Sequence, residues 1–163
     1  MIPLRFRRQV LILFGRLPAR LRRAIVRAAS PTFLVGAACI VEHEGRLLAV
    51  RHSYMRHWGL TGGGMNRGEV PEATAVREVA EEAGLAVEPI GSPVLVVDAP
   101  RKRIDLVLRC RLAPGASPAD AHPRSAEITE VRWVPIEELP DLRWARAAEA
   151  ALRQGGFVTR RPG

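Results

Sequence analysis

The sequence predicts an α/β sandwich with a mixed β-sheet, preceded by a basic amphipathic helical arm. Three observations lead there. Runs of β-forming residues lie on both sides of one strongly helical segment at 70–83. A second helical pattern closes the chain at 141–153. The first thirty residues hold eight arginines and no Asp or Glu. With 163 residues, 47% of them hydrophobic, the chain is long enough to bury a core in one domain, expected at 31–154.

The arm, 1–30, accounts for the net charge of +8. Arg5, Arg7, Arg8, Arg16, Arg20, Arg22, Arg23 and Arg27 carry it, while the other 17 basic residues offset the 17 acidic ones. Its longest apolar run, 10–14, is too short for a bilayer span and short for an export-signal core. Arg7-Arg8 ahead of that run resembles a twin-arginine signal, but Arg16, Arg20, Arg22 and Arg23 break the region that should be apolar. Leu17, Leu21, Ala24 and Ala28 fall near one helical stripe, with Pro18 at the helix start. The favoured reading packs this face on the domain or on a second subunit, as a homodimer. Peripheral contact with an anionic membrane or nucleic acid is the alternative.

Pro31 ends the arm. Residues 33–41, rich in β-formers, form a strand; 42–45 turn, and 46–50 return as its hairpin partner. A basic, aromatic loop at 51–58 leads through Leu60 into a turn at Gly62-Gly63-Gly64. The helix at 70–83 has Pro71 in its first turn and Gly84 as its stop. Strands follow at 94–97 and 104–112, joined by a turn at 98–102. Three prolines make 113–123 a loop, and 130–134 is a strand stopped by Pro135. An amphipathic helix at 141–153 precedes a tail, 155–163, expected to fray. Cys39 and Cys110 sit in separate apolar runs, which suits buried free thiols and a reducing, cytoplasmic setting.

Residues 63–85 read G-G-M-N-R-G-E-V-P-E-A-T-A-V-R-E-V-A-E-E-A-G-L. Glu78, Glu81 and Glu82 stand at i, i+3 and i+4, which places three carboxylates on one helical face. Like charges so placed repel, and a divalent cation is what rewards them, because hard carboxylate oxygens suit Mg2+. Val76, Val79, Ala80 and Ala83 are left to face the core.

The segment resembles the Nudix box, G-x5-E-x7-R-E-U-x-E-E-x-G-U with U apolar, at every defined position. Seven specified residues at about 7% background each coincide by chance on the order of once in 10^8 starting points, which disfavours a surface helix with accidental charges. The resemblance is strong over the box, loose over 33–142 and absent from the arm. It implies a Nudix-type α/β/α sandwich and Mg2+-dependent hydrolysis of a phosphoanhydride, with Mn2+ able to substitute. The substrate class is a nucleoside diphosphate linked to another group X. ADP-ribose or a nucleotide sugar leads, with a (deoxy)nucleoside triphosphate as the alternative. A non-catalytic nucleotide-binding module of this fold is the rival of another class, but such modules typically lose box glutamates and this chain keeps them all.

Carried over residue by residue, the resemblance makes Glu78 and Glu82 metal ligands. Glu81 ligates directly or through water, and a carbonyl of Gly62 or Gly63 adds a further ligand. Glu69 and Arg77 brace the loop against the helix. Glu78 is one candidate base; Asp120, His122 and Glu127 are the later options, with Glu127 ranked first. The expected catalytic set is therefore Glu78, Glu81 and Glu127. Among Arg51, His52, Tyr54, Arg56, His57 and Trp58, cations could meet phosphate and an aromatic could stack on a base. Arg51, Tyr54 and Trp58 are the substrate-binding candidates, although Trp58 also suits a packing role. Arg101, Lys102 and Arg103 are either a second cationic site or a hairpin tip facing water. Thr61 stands where the family usually has proline, which leaves a looser turn or a hydroxyl for phosphate.

Overall fold

The computed structural model describes residues 4–158, with side chains from residue 6. Contacts divide the chain into two compact units, Met1–Phe33 and Leu34–Gly163. The first holds α1 (Leu4–Arg16) and α2 (Ala19–Ala29), the latter starting after Pro18 as its N-cap. No residue of α2 is buried.

The second unit contains β1 (Leu34–His43), β2 (Arg46–His52), β3 (Trp58–Gly59), β4 (Thr61–Gly64), α3 (Pro71–Ala83), β5 (Val87–Asp98), β6 (Arg103–Leu112), β7 (Ile128–Pro135) and α4 (Arg146–Gln154). One seven-stranded sheet joins all the strands, in the order β3-β2-β1-β6-β5, with β4 on β1 and β7 on β2. It is mixed: β1 and β6 run parallel, and the other pairs are antiparallel. The hairpin between β1 and β2 closes over Glu44 and Gly45, both at positive φ, as tight two-residue turns require.

Strand alternation builds two cores. Ala37, Cys39, Val41 and Leu48 pack with Ala75, Val79 and Ala83 of α3. Ile40, Leu47 and Ala49 pack with Trp144, Ala148, Ala151 and Leu152 at α4. The sheet is therefore the middle layer of an α/β/α sandwich. Cys39 and Cys110 are buried free thiols whose sulfurs lie 3.0 Å apart.

Four expectations need correction. The glycines at 62–64 are strand, not turn, because β1 from Gly36 to Cys39 pairs along Thr61–Gly64. The strand expected at 94–97 begins at Val87. It is an edge strand, where Pro89 and Pro93 are tolerated, and its register shifts between Ile90 and Val94 around Gly91 at φ +70. The last helix starts at Arg146, not at 141. Residues Ile136–Asp141 form 3-10 turns, Trp144 Nε1 donates to the Leu139 carbonyl at 2.9 Å, and Trp144 bridges Trp58 in parallel fashion. Of the tail, 155–158 is described. There Phe157 and Val158 pack against the core near α4, while 159–163 lie outside the described residues.

Candidate active site

α3 is a short helix held at both ends. Pro71 occupies its first turn and Gly84 closes it in the left-handed conformation, φ +73. Ala75, Val79 and Ala83, four apart, are fully buried and fix the helix on the sheet. Ala80 is only half-buried, so its expected core place falls to Ala75. Seating that stripe turns Glu78 and Glu82 toward β4 and leaves Glu81 on the outer edge, 57% exposed.

β4 comes close to these carboxylates because it lacks side chains. A Cβ on Gly63 would collide with the Glu78 carboxylate. The Gly62 N–H donates to Glu82 Oε2 at 3.0 Å, and His52 Nε2 stands 3.4 Å from Glu82 Oε1. Glu82 is thus a buried carboxylate with one partner at each oxygen.

Arg77 organises the rest. Its Nε and Nη2 grip Glu69 at 2.9 and 3.1 Å, and Nη2 also donates to the Gly64 carbonyl at 3.2 Å. Its Nη1 donates to Glu78 Oε1 at 2.7 Å and Glu81 Oε2 at 3.1 Å. One guanidinium therefore ties the loop after β4, the strand and the helix together. The Arg77 fork and the Asn66 N–H hold the Glu69 carboxyl down at about 2. Burial pushes Glu78 upward; Arg77 opposes this, while Glu82 and Glu81 add to it by like-charge repulsion.

Because Glu69 is depressed in the folded state, its stabilising contribution is full above the unfolded carboxylate pKa and lost as pH falls toward about 2. Glu69→Gln is therefore expected to lower Tm at neutral pH. Melting curves taken between pH 5 and pH 2 should show the gap to the parent closing. A gap independent of pH would mean that the ion pair contributes nothing.

Glu78, Glu81, Glu82 and Glu127 line one cleft of about 460 Å³ with Gly62, Gly63, Gly64, Tyr54, Arg103 and Ser125. A second hollow, of about 270 Å³, shares Tyr54, Gly62 and Arg103 with it. Apolar Ala38, Leu60, Val107 and Ala148 line that hollow beside Arg101, Arg146, Asp98 and Asp105. Arg103 stands at the junction, its Nε 2.8 Å from both Asp105 oxygens.

The structure thus brings Glu127 and Tyr54 to the box glutamates, although they are far apart in sequence. It does not bring Arg51 or Trp58. Trp58 is a core residue, and the Arg51 guanidinium stacks 4.4 Å over its ring, with Nε 3.5 Å from Glu130. Thr61 is buried opposite Cys39, so its hydroxyl lines neither hollow. Asp120 caps a 3-10 turn and His122 Nδ1 pairs with the Asp120 carbonyl at 2.6 Å; neither lines the cleft.

Sequence reasoning named His52 only as a member of the 51–58 cluster, and Asp105 and Ser125 not at all. A signal for His52 existed: period-two spacing puts it on the same face of β2 as Leu48, the face that packs with α3. Arg103 was legible only as one of two alternatives.

Among the described residues, no three His, Cys, Asp or Glu side chains converge closely enough to hold a metal ion. Arg77 engages Glu78 and Glu81, while Gly62 and His52 engage Glu82. The donor chemistry still fits a hard divalent cation. Four carboxylates line one cleft, and two like charges press on half-buried Glu78.

Comparison with known proteins agrees with this arrangement. The chain is 33% identical over 105 residues to a "MutT-like protein" of Streptomyces ambofaciens, covering 64% of this chain and 65% of that one. It is 39% identical over 88 residues to "Putative 8-oxo-dGTP diphosphatase 3" of Mycobacterium tuberculosis, covering 52% and 40%. It is 31% identical over 130 residues to "CMP-5'-(N-acetyl-N-hydroxy-3-aminopropyl)phosphonate hydrolase" of Streptomyces rubellomurinus, covering 76% and 58%. The chain therefore spans less than two thirds of the length of these curated relatives. The crystal structure of a NUDIX hydrolase from Nitrosomonas europaea superposes with a TM-score of 0.66 at 25% identity, over 76% of this chain and 70% of that one. The NUDIX domain profile matches residues 32–154, the whole sheet with both flanking helices, and the chain belongs to that family.

Proposed function

We propose that this chain is a Mg2+-dependent pyrophosphohydrolase that cleaves a nucleoside diphosphate linked to X, with ADP-ribose or a nucleotide sugar as the leading substrate. One observation carries the reading. A cleft lined by four carboxylates shares Tyr54, Gly62 and Arg103 with a hollow lined by apolar residues and by arginines, two of them paired with Asp98 and Asp105. A pyrophosphate bridge suits the first, and a nucleoside or sugar suits the second.

Glu78, Glu81 and Glu82 would hold the cation, with the Gly63 carbonyl adding a further ligand. The bound cation supplies charge neutralisation on the diphosphate and a lowered pKa for water. The Gly62 N–H and His52 orient Glu82, and Arg77 with Glu69 sets the positions of Glu78 and Glu81. Glu127, on a separate loop that lines the cleft, would take the proton of the attacking water; Glu78 is the alternative base where it is not consumed as a ligand. Arg103 has its Nε engaged by Asp105, and the outer part of its guanidinium meets phosphate at the junction. Tyr54, 68% exposed, is available to stack on a base or sugar.

The S. rubellomurinus relative, named for a CMP-linked substrate, supports a nucleotide joined to X. The M. tuberculosis relative, named for 8-oxo-dGTP, favours the second reading, a (deoxy)nucleoside triphosphate.

Incubation with a panel of both classes and Mg2+ or Mn2+, followed by product identification, separates them. AMP with ribose phosphate marks ADP-ribose cleavage, inorganic pyrophosphate marks a triphosphate, and no turnover of either class rejects the enzyme. On the best substrate, Arg103→Ala should raise KM about 10- to 100-fold, the value of one charge-assisted hydrogen bond. An unchanged KM would remove Arg103 from the binding site.

A further inference from the structure

We propose that the arginine-rich arm is a docking surface for a bilayer containing anionic phospholipid, with both helices lying in the plane of the interface. In α1, Phe6, Val10 and Leu13 recur at i, i+4 and i+7 and are 57%, 50% and 66% exposed. In α2, Leu21, Ile25 and Ala28 repeat that spacing, and Leu21 and Ile25 are 47% and 41% exposed. On another face of α2, a hollow of about 830 Å³ is lined by Arg20, Arg22, Arg23 and Arg27 together with Phe14 and Val26. Cationic heads beside open apolar surface match an amphiphile that carries phosphate on one end and hydrocarbon on the other.

Charge and apolarity together select this occupant. Residues 1–30 contain eight arginines and no acidic group, so two copies meeting through their arms would set like charge against like. Nucleic acid would satisfy the arginines but leave the apolar rows in water. An anionic bilayer satisfies both, with attraction for each arginine and hydrocarbon for each row. Among the described residues, no helix is long and apolar enough to cross a membrane. α1, at 13 residues, is only about 20 Å long against a hydrocarbon core of about 30 Å.

The test is co-sedimentation of the full chain with phosphatidylcholine vesicles and with mixed phosphatidylcholine–phosphatidylglycerol vesicles. The expected result is a partition coefficient at least about tenfold higher on the mixed vesicles. The pair Leu13→Ser and Ile25→Ser, which removes apolar area and no charge, should lower binding to mixed vesicles about tenfold or more. Arg20→Gln with Arg23→Gln and Arg27→Gln should lower it as well. Circular dichroism melts confirm that each variant is folded. Background sedimentation with both vesicle types would overturn the proposal. So would binding that the serine pair leaves unchanged, because the arm would then act only as a polycation. Binding to duplex DNA that outcompetes the mixed vesicles and ignores the serine pair would instead assign the arm to nucleic acid.

Discussion

Glu82→Gln is expected to lower kcat at least about 100-fold, a loss of about 2.7 kcal/mol in transition-state stabilisation. The residue is 5% exposed, accepts the Gly62 N–H at 3.0 Å and stands 3.4 Å from His52. Glutamine keeps the volume and one acceptor oxygen, so β4 and α3 stay joined and Tm should move little. What disappears is the negative charge at the inner wall of the cleft, which the proposed chemistry needs for its cation. Steady-state kinetics on the best substrate, paired with a melting curve, separates the two effects. Near-parental turnover would mean that Glu82 is a structural acceptor for Gly62 and that the charge lies elsewhere.

Two neighbouring glycines should fail in opposite ways. A Cβ on Gly62 would lie 2.5 Å from the Ala37 carbonyl and 2.6 Å from the Ala38 Cα, atoms of the adjacent strand that cannot move alone. Gly62→Ala should therefore destabilise the fold by about 3 kcal/mol or more, because overpacking against backbone forces strands apart. A Cβ on Gly63 meets the Glu78 carboxylate, the far end of a flexible side chain. Gly63→Ala should leave Tm near the parent value while displacing Glu78, with turnover falling about 100-fold, comparable to losing one preorganised group. Urea unfolding and kcat measured on both variants decide the matter. Parallel losses of stability and activity in Gly63→Ala would show that the close approach serves packing and not the site.

The helix of the site was legible in sequence because its determinants are local. Pro71, the buried 3.6-residue pattern and Gly84 lie within fifteen residues, and each acts through its own backbone. The same locality makes the shared face of Glu78, Glu81 and Glu82 a matter of spacing alone. β5 was only half legible because proline and glycine normally interrupt strands; its edge position, known only from the sheet order, is what makes them tolerable. The start of α4 was misplaced for a related reason. Trp144 is drawn into a bridge with Trp58, 86 positions away, and no local pattern encodes that.

The substrate side was least legible. A dense cluster of cations and aromatics at 51–58 is one surface in sequence, but the sheet divides it. Trp58 goes into the core with Arg51 stacked on it, His52 goes to Glu82, and only Tyr54 and His52 of the named cluster reach the hollows. Arg103 moved the other way, from an ambiguous hairpin residue to the junction of both hollows, because Asp105 two positions on holds its Nε.

By itself, the sequence determined the layered architecture, the acidic helix with its stops and the charge of the arm, since each rests on residues close together in the chain. The tertiary structure alone decided that three glycines form a strand, that Glu127 and Arg103 share a cleft with the box, and that Arg51 does not. Those outcomes depend on which strands pair and in what register, and pairing is settled by long-range packing that no short window of residues contains.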